Sequence, residues 1–166
     1  MGTGKSAVGR LVAAQLRFDF VDTDHLIESR TGKRITEIFA ESGEAGFRQI
    51  EREVVLNLHK LRRTVIATGG GLGANPEHLA ALKDHALVVC LWASADVIWQ
   101  RVHAQSHRPL LHAADPMERI RELLAAREPV YRQADVLIGT GMRSIKEVAF
   151  QVRYQFITAR AKRSVP

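Results

Sequence analysis

Apolar positions along the chain alternate between two patterns, one with helical spacing and one made of short unbroken runs. From Ser6 to Leu16, Val8, Leu11, Val12 and Leu16 share one face at helical spacing. Phe18 to Val21 is a short strand. From Gly43 to about Leu61, Phe47, Ile50, Val54 and Leu58 again align as on a helix. Thr64 to Thr68 is a β-branched strand that stops at three glycines. Pro76 suits the first turn of the next helix. Ala86 to Trp92 is wholly apolar, the pattern of a strand buried on both faces of a parallel sheet. Helices follow over about Ala95 to Ala104 and Pro116 to Arg127, then a strand from Asp135 to Ile138 and a last helix from Ser144 onward. Strands alternating with helices predict a doubly wound parallel α/β sheet in a single domain, 1–166. In such sheets ligands bind beyond the carboxyl ends of the strands.

Composition narrows this picture only slightly. No apolar run is long enough to span a bilayer, and no signal peptide precedes the first helix. The default is a cytoplasmic protein with no membrane partner. The net charge is +6, but Arg153, Arg160, Lys162 and Arg163 stand beyond Phe150 with no acidic residue among them. They account for four of the six excess charges, so a solvated basic end over about 144–166 is expected, with no nucleic-acid partner. The single cysteine, Cys90, lies inside an apolar run and is expected to be a buried, inert thiol.

The candidate chemistry sits at the predicted strand ends. Gly2-Thr3-Gly4-Lys5-Ser6 runs directly into a helix. Glycines let backbone N–H groups curl round an anion, and the helix aims its positive end at the same point. Lys5 can reach β- and γ-phosphates, and the Ser6 hydroxyl can ligate Mg²⁺. Asp22 and Asp24 flank Thr23 at a strand end and share a face, so they can serve a metal and a substrate. Equally, they suit plain capping of a helix through Leu26-Ile27-Glu28. Arg48 and Glu51 are helix neighbours at i and i+3. They form either a surface ion pair of small value or a pair in which Glu51 orients Arg48 toward an acidic substrate.

Gly69-Gly70-Gly71 costs chain entropy that a close approach to a ligand would justify. Arg108-Pro109-Leu110-Leu111 lies in an aperiodic stretch, 106–115, that reads as a lid. Arg108 there can close over phosphates. His103, His107 and His112 flank it as solvated loop residues, without metal-ligand spacing. Arg127 closes a helix in Arg127-Glu128-Pro129-Val130-Tyr131, and its planar fork suits a carboxylate.

The six motifs, taken in order over about residues 1–140, closely resemble shikimate kinase. The resemblance implies Mg²⁺-dependent transfer of the γ-phosphoryl of ATP to the 3-hydroxyl of shikimate, in the route to aromatic amino acids. It implies a P-loop kinase fold that works as a monomer. It assigns ATP to Gly2, Thr3, Gly4, Lys5, Ser6 and Ala7, with Arg108 on the lid and Arg101 beside the adenine. Ser6 would ligate Mg²⁺ directly and Asp22 through water. Asp24 would hold the acceptor hydroxyl and take its proton. Arg48 and Arg127 would grip the shikimate carboxylate, while Gly70 and Gly71 would border the substrate, Gly70 through its backbone N–H. Lys5, Asp24 and Arg108 form the catalytic set.

The chain departs from the family pattern in three places. Arg17 stands where a turn glycine is usual, and Gly139 where an aspartate is common. The strand and glycine that usually precede the phosphate loop are absent before Met1. The sheet is therefore expected to lack its first central strand, the loop its anchor and the chain much of its activity. A misplaced start would explain this, and a stop codon directly upstream would exclude it. Two other readings share the first motif: another small P-loop kinase such as gluconate kinase, and a non-catalytic ligand-sensing domain of the same fold.

Overall fold

The computed structural model describes residues 2–103 and 115–163. The expected lid, with Arg108, lies outside them except for Asp115, whose carboxylate caps the helix that follows.

Helix α1 (Lys5–Leu16) opens on Gly4, which has φ 86°, and no side chain caps it. It ends on Arg17 at φ 54°, a left-handed conformation that glycine adopts without strain. That is the conformational reason a glycine is expected here. Strand β1 (Asp19–Asp22) leads into α2 (Thr23–Thr31), and α3 (Ile35–Leu58) follows. The chain then forms β2 (Thr64–Ala67), a 3₁₀ turn (Leu72–Ala74), α4 (Pro76–Lys83) and β3 (Val89–Trp92). Helices α5 (Ala95–Val102) and α6 (Pro116–Tyr131), strand β4 (Val136–Gly139) and helix α7 (Ile145–Arg163) complete the described chain.

Helix α2 is the helix that Asp22 was expected to cap; it has few apolar residues, and that cap plus the fully buried Ile27 hold it. Two expectations change. Helix α3 starts eight residues before Gly43 and breaks there at φ 64°, ψ −169°. Arg127 does not close α6, which continues through Pro129 to Tyr131. The basic end belongs to the expected last helix: Arg160 and Lys162 are exposed on α7, whose first turns pack Val148 and Ala149 against Val8 and Val12 of α1.

All strand pairing is parallel, as expected. Asp19 to Asp22 pair in register with Thr64 to Ala67, and Val89 to Trp92 with Val136 to Gly139. The strands form two separate two-stranded sheets, β1-β2 and β3-β4. Between β2 and β3 lies a largely apolar cavity of about 1040 Å³, with Val12, Val65, Ile66, Leu91, Leu124 and Phe156 in its wall. The gap accords with the expected absence of a central strand. It also leaves β3 only half-buried, where its sequence predicts burial on both faces. Cys90 on β3 is likewise half-buried, and desolvation pushes its thiol up, which keeps it protonated and inert.

The buried apolar residues form three clusters around that cavity. One joins α2, α3 and α4 through Ile27, Phe47, Val54, Leu58 and Leu82. A second joins α1, β4 and α7. The third joins α5 to α6 through Ile98, Val102 and Ile120.

Candidate active site

The phosphate loop and α1 make the first part of the site. Gly2 and Gly4 both have positive φ, 68° and 86°. The first helical bond is Val8 N–H to Gly4 O at 2.9 Å, so the N–H groups of Lys5, Ser6 and Ala7 have no acceptor within the helix. With no capping side chain, these donors and the positive helix end present an anion site. Arg101 fixes the loop from the other side. Its guanidinium donates to Gly2 O at 3.3 Å, to Thr140 Oγ1 at 3.0 Å and to Thr140 O at 2.5 Å. Arg101 therefore braces the loop, a contact that the adenine-side assignment did not anticipate.

The second part is the turn from β1 into α2. Ser6 Oγ donates to Asp22 Oδ2 at 2.6 Å, while Asp22 Oδ1 accepts from Asp24 N–H at 3.1 Å. The capping reading of this motif holds, and Asp22 also meets Ser6. Thr23, fully buried, accepts from Gly69 N–H at 2.8 Å and ties the turn to the triglycine. Asp24 sits within electrostatic reach of both Lys5 and Glu51. Burial pushes its carboxyl up, the charges of Asp22 and Glu51 add to the rise, and Lys5 opposes it. A carboxylate of raised basicity beside a cationic phosphate site suits proton acceptance.

The triglycine allows these parts to meet. A Cβ on Gly69 would lie 2.5 Å from Asp24 Oδ1, and one on Gly71 would lie 2.1 Å from Arg48 Nη1. Only glycine permits both approaches without displacing a side chain. Tyr131 donates its hydroxyl to Gly70 O at 2.8 Å.

The third part is a smaller cavity of about 340 Å³. Arg48 of α3, Gly71, the start of α4 and Arg127 of α6 border it. Arg48 donates to Glu51 at 2.5 Å and to Glu44 at 2.9 Å. Glu51 is 2% exposed, so the pair is no surface ion pair but a buried carboxylate that fixes the guanidinium. Arg127 lies beside the Tyr131 hydroxyl, one helical turn on. Burial raises that hydroxyl's pKa, so Tyr131 stays a neutral donor.

The structure therefore gathers Lys5, Ser6, Asp22, Asp24, Arg48, the triglycine and Arg127 at one end of the strands. Sequence reasoning gave no role to Thr23, Glu44, Tyr131 or Thr140. Tyr131 had a signal, since it follows Arg127 by four residues and so shares its helix face. Thr23 had none beyond its place between two aspartates.

A family model described as Shikimate kinase matches residues 1–157. The shikimate kinase of Thermodesulfovibrio yellowstonii is 47% identical over 152 residues, covering 92% of this chain and 88% of that protein. That of Caldanaerobacter subterraneus is 42% identical, with 98% of this chain and 95% of the other covered. Among solved structures, the shikimate kinase of Acinetobacter baumannii in complex with shikimate superposes with a TM-score of 0.89 at 37% identity. It covers 96% of this chain and 89% of that one. A gluconokinase from Sinorhizobium meliloti reaches a TM-score of 0.63 at 17% identity over 99% of this chain and 93% of its own, and shares the fold alone.

Proposed function

The chain belongs to the shikimate kinase family, and from that membership and the site we propose that it transfers the γ-phosphoryl group of ATP to the 3-hydroxyl of shikimate. The observation that carries this reading is a run of contacts from the phosphate loop to the arginine: Ser6 Oγ donates to Asp22, Asp22 accepts from the Asp24 N–H, and Asp24 and Arg48 approach the neighbouring glycines Gly69 and Gly71.

In this mechanism the loop N–H groups and Lys5 hold the β- and γ-phosphates. Arg48 and Arg127 hold the shikimate carboxylate, and Gly70 and Gly71 border the ring. The 3-hydroxyl oxygen attacks the γ-phosphorus, the bond to the ADP oxygen breaks, and Asp24 accepts the hydroxyl proton. Positioning and charge neutralisation supply most of the rate. Arg108, outside the described residues, is the proposed lid contact to the phosphates, and Arg101 reaches the nucleotide side through the loop.

Ser6 and Asp22 fit Mg²⁺. They offer hard oxygen donors already in contact, and among the described residues no group of three acidic, histidine or cysteine side chains forms a metal cage. Mg²⁺ favours such sparse sites, where phosphates and water complete the shell. When bound, it would neutralise charge on the phosphate oxygens.

Among the described residues no helix is long and apolar enough to cross a membrane. A monomeric, single-domain cytoplasmic enzyme without a nucleic-acid partner completes the proposal. The test is ADP release in a coupled assay with shikimate and gluconate side by side. Shikimate-dependent release is expected, and turnover of gluconate alone would refute the assignment.

A further inference from the structure

Two of the contacts proposed for the substrate come from distant parts of the chain, the triglycine after β2 and Arg127 on α6. One side chain touches both regions and has no part in the chemistry above. Tyr131 donates its hydroxyl to Gly70 O at 2.8 Å, across 61 positions of sequence. The Arg127 guanidinium faces the same phenol oxygen from one helical turn earlier. A phenol oxygen both accepts and donates, so it can receive from Arg127 while it gives to Gly70. Burial outweighs the pull of Arg127 and keeps the proton on the hydroxyl.

Helix α6 delivers this contact by an unusual route. Pro129 has no N–H for the helical ladder, yet the helix runs through it to Tyr131. Residues four apart share a face only while the helix continues. A helix that stopped at Pro129 would separate Tyr131 from the face of Arg127.

The triglycine needs a hold of this kind. It lies between β2 and the 3₁₀ turn, and glycine has little preference for any one backbone conformation. Its first N–H, that of Gly69, donates to the buried Thr23 Oγ1 at 2.8 Å. Its second carbonyl, that of Gly70, is the one Tyr131 holds. These two bonds fix the peptide units on either side of the unit that carries the Gly70 N–H. Among the described residues that N–H donates to no protein acceptor, so its direction rests on its two flanking neighbours.

We propose that Tyr131 is a positioning residue that keeps the triglycine in register with Arg127, so that a substrate held by its carboxylate at Arg127 meets the Gly70 N–H at the same time. The proposal rests on the functional reading above, which supplies the substrate. Two contacts at a fixed separation act on one rigid ligand together, and loss of register costs affinity even where each contact survives.

The experiment measures shikimate-dependent ADP release by the full chain, with Tyr131→Phe, Arg127→Lys and the double variant compared. Phenylalanine keeps the ring and loses the donor, while lysine keeps a cation and loses the planar fork. Expected for Tyr131→Phe is a KM for shikimate higher by about fivefold, with kcat within about twofold and the KM for ATP unmoved. With lysine at 127, the same substitution should raise that KM by less than about twofold, because the register has lost its second point. Shikimate titrated into the four proteins by calorimetry should give the same ratios. An unchanged KM in Tyr131→Phe overturns the proposal. Effects of the two substitutions that simply multiply also overturn it, since the phenol would then act independently of Arg127. A lower kcat at constant KM, with a lower melting temperature, assigns the ring to packing and overturns it as well. If the unsubstituted chain neither turns over nor binds shikimate, the functional reading fails, and this proposal falls with it.

Discussion

Two cavities among the described residues differ in their walls, although Lys5, Gly69, Gly70 and Arg127 also border the larger one. The space between β2 and β3 is about three times the volume of the one beside Arg48, yet its wall is mainly aliphatic and aromatic. The smaller space is bordered by two arginines, a buried glutamate and a histidine with an unmet nitrogen. Size separates these poorly, whereas the count of charged and unsatisfied groups separates them well. The large cavity should govern stability, and the small one affinity.

The comparison is tested hardest by filling the large cavity. An extended apolar segment of about five residues, fused ahead of Gly2, would run from the mouth near Thr3 and Lys5 and pair with both inner strand edges. Its burial and hydrogen bonds exceed its ordering entropy by roughly 5 kcal/mol. The expected result is a melting temperature higher by about 10 °C or more, with greater turnover because the phosphate loop gains an anchor. An unchanged melting temperature would show that the gap is closed in solution.

Asp24→Asn should lower turnover by about 1000-fold without harming the fold, and its melting curve carries a sign. Asp24 has a raised carboxyl pKa, through burial first and then the charges of Asp22 and Glu51. Its ionisation therefore opposes folding. The stability of the protonated form is present below the ordinary carboxylate range and is lost as pH rises through the raised value. The Asn variant should thus melt slightly higher near neutral pH, and the advantage should vanish in acid. A lower melting temperature at neutral pH would contradict this assignment.

In the small cavity, Arg48→Ala should weaken shikimate binding about 100-fold. It also strands Glu51, which is 2% exposed, at a cost of about 2 kcal/mol. Adding Glu51→Gln should restore most of the stability and none of the affinity. Recovery of both would mean that Arg48 serves packing only. The smallest effect expected is Arg17→Gly. Relieving the left-handed backbone at φ 54° should stabilise by about 0.5–1 kcal/mol in chemical denaturation, with no change in ligand affinity.

The contrast also explains what the sequence could disclose. Every strand was visible, because each carries its apolar run within itself. The site motifs were visible because their residues stand at strand ends and helix starts, where local spacing sets direction. Helix α2 was legible only through its cap, since only Leu26 and Ile27 are apolar in its middle and tertiary burial of Ile27 supplies the rest. The extension of α6 through Pro129 defeats the rule that proline ends helices.

Arg101 has a consequence for how the two sheets hold together. It lies on α5 and fastens the phosphate loop to Thr140, just past β4. Thr140 in turn donates its backbone N–H to Trp92 O, the last residue of β3, at 2.7 Å. The loop continues into α1, which packs against β2. A nucleotide seated on the loop would therefore act as a keystone across the two half-sheets: by ordering a few backbone amides it would make their separation harder, and cohesion of the whole would rise with occupancy.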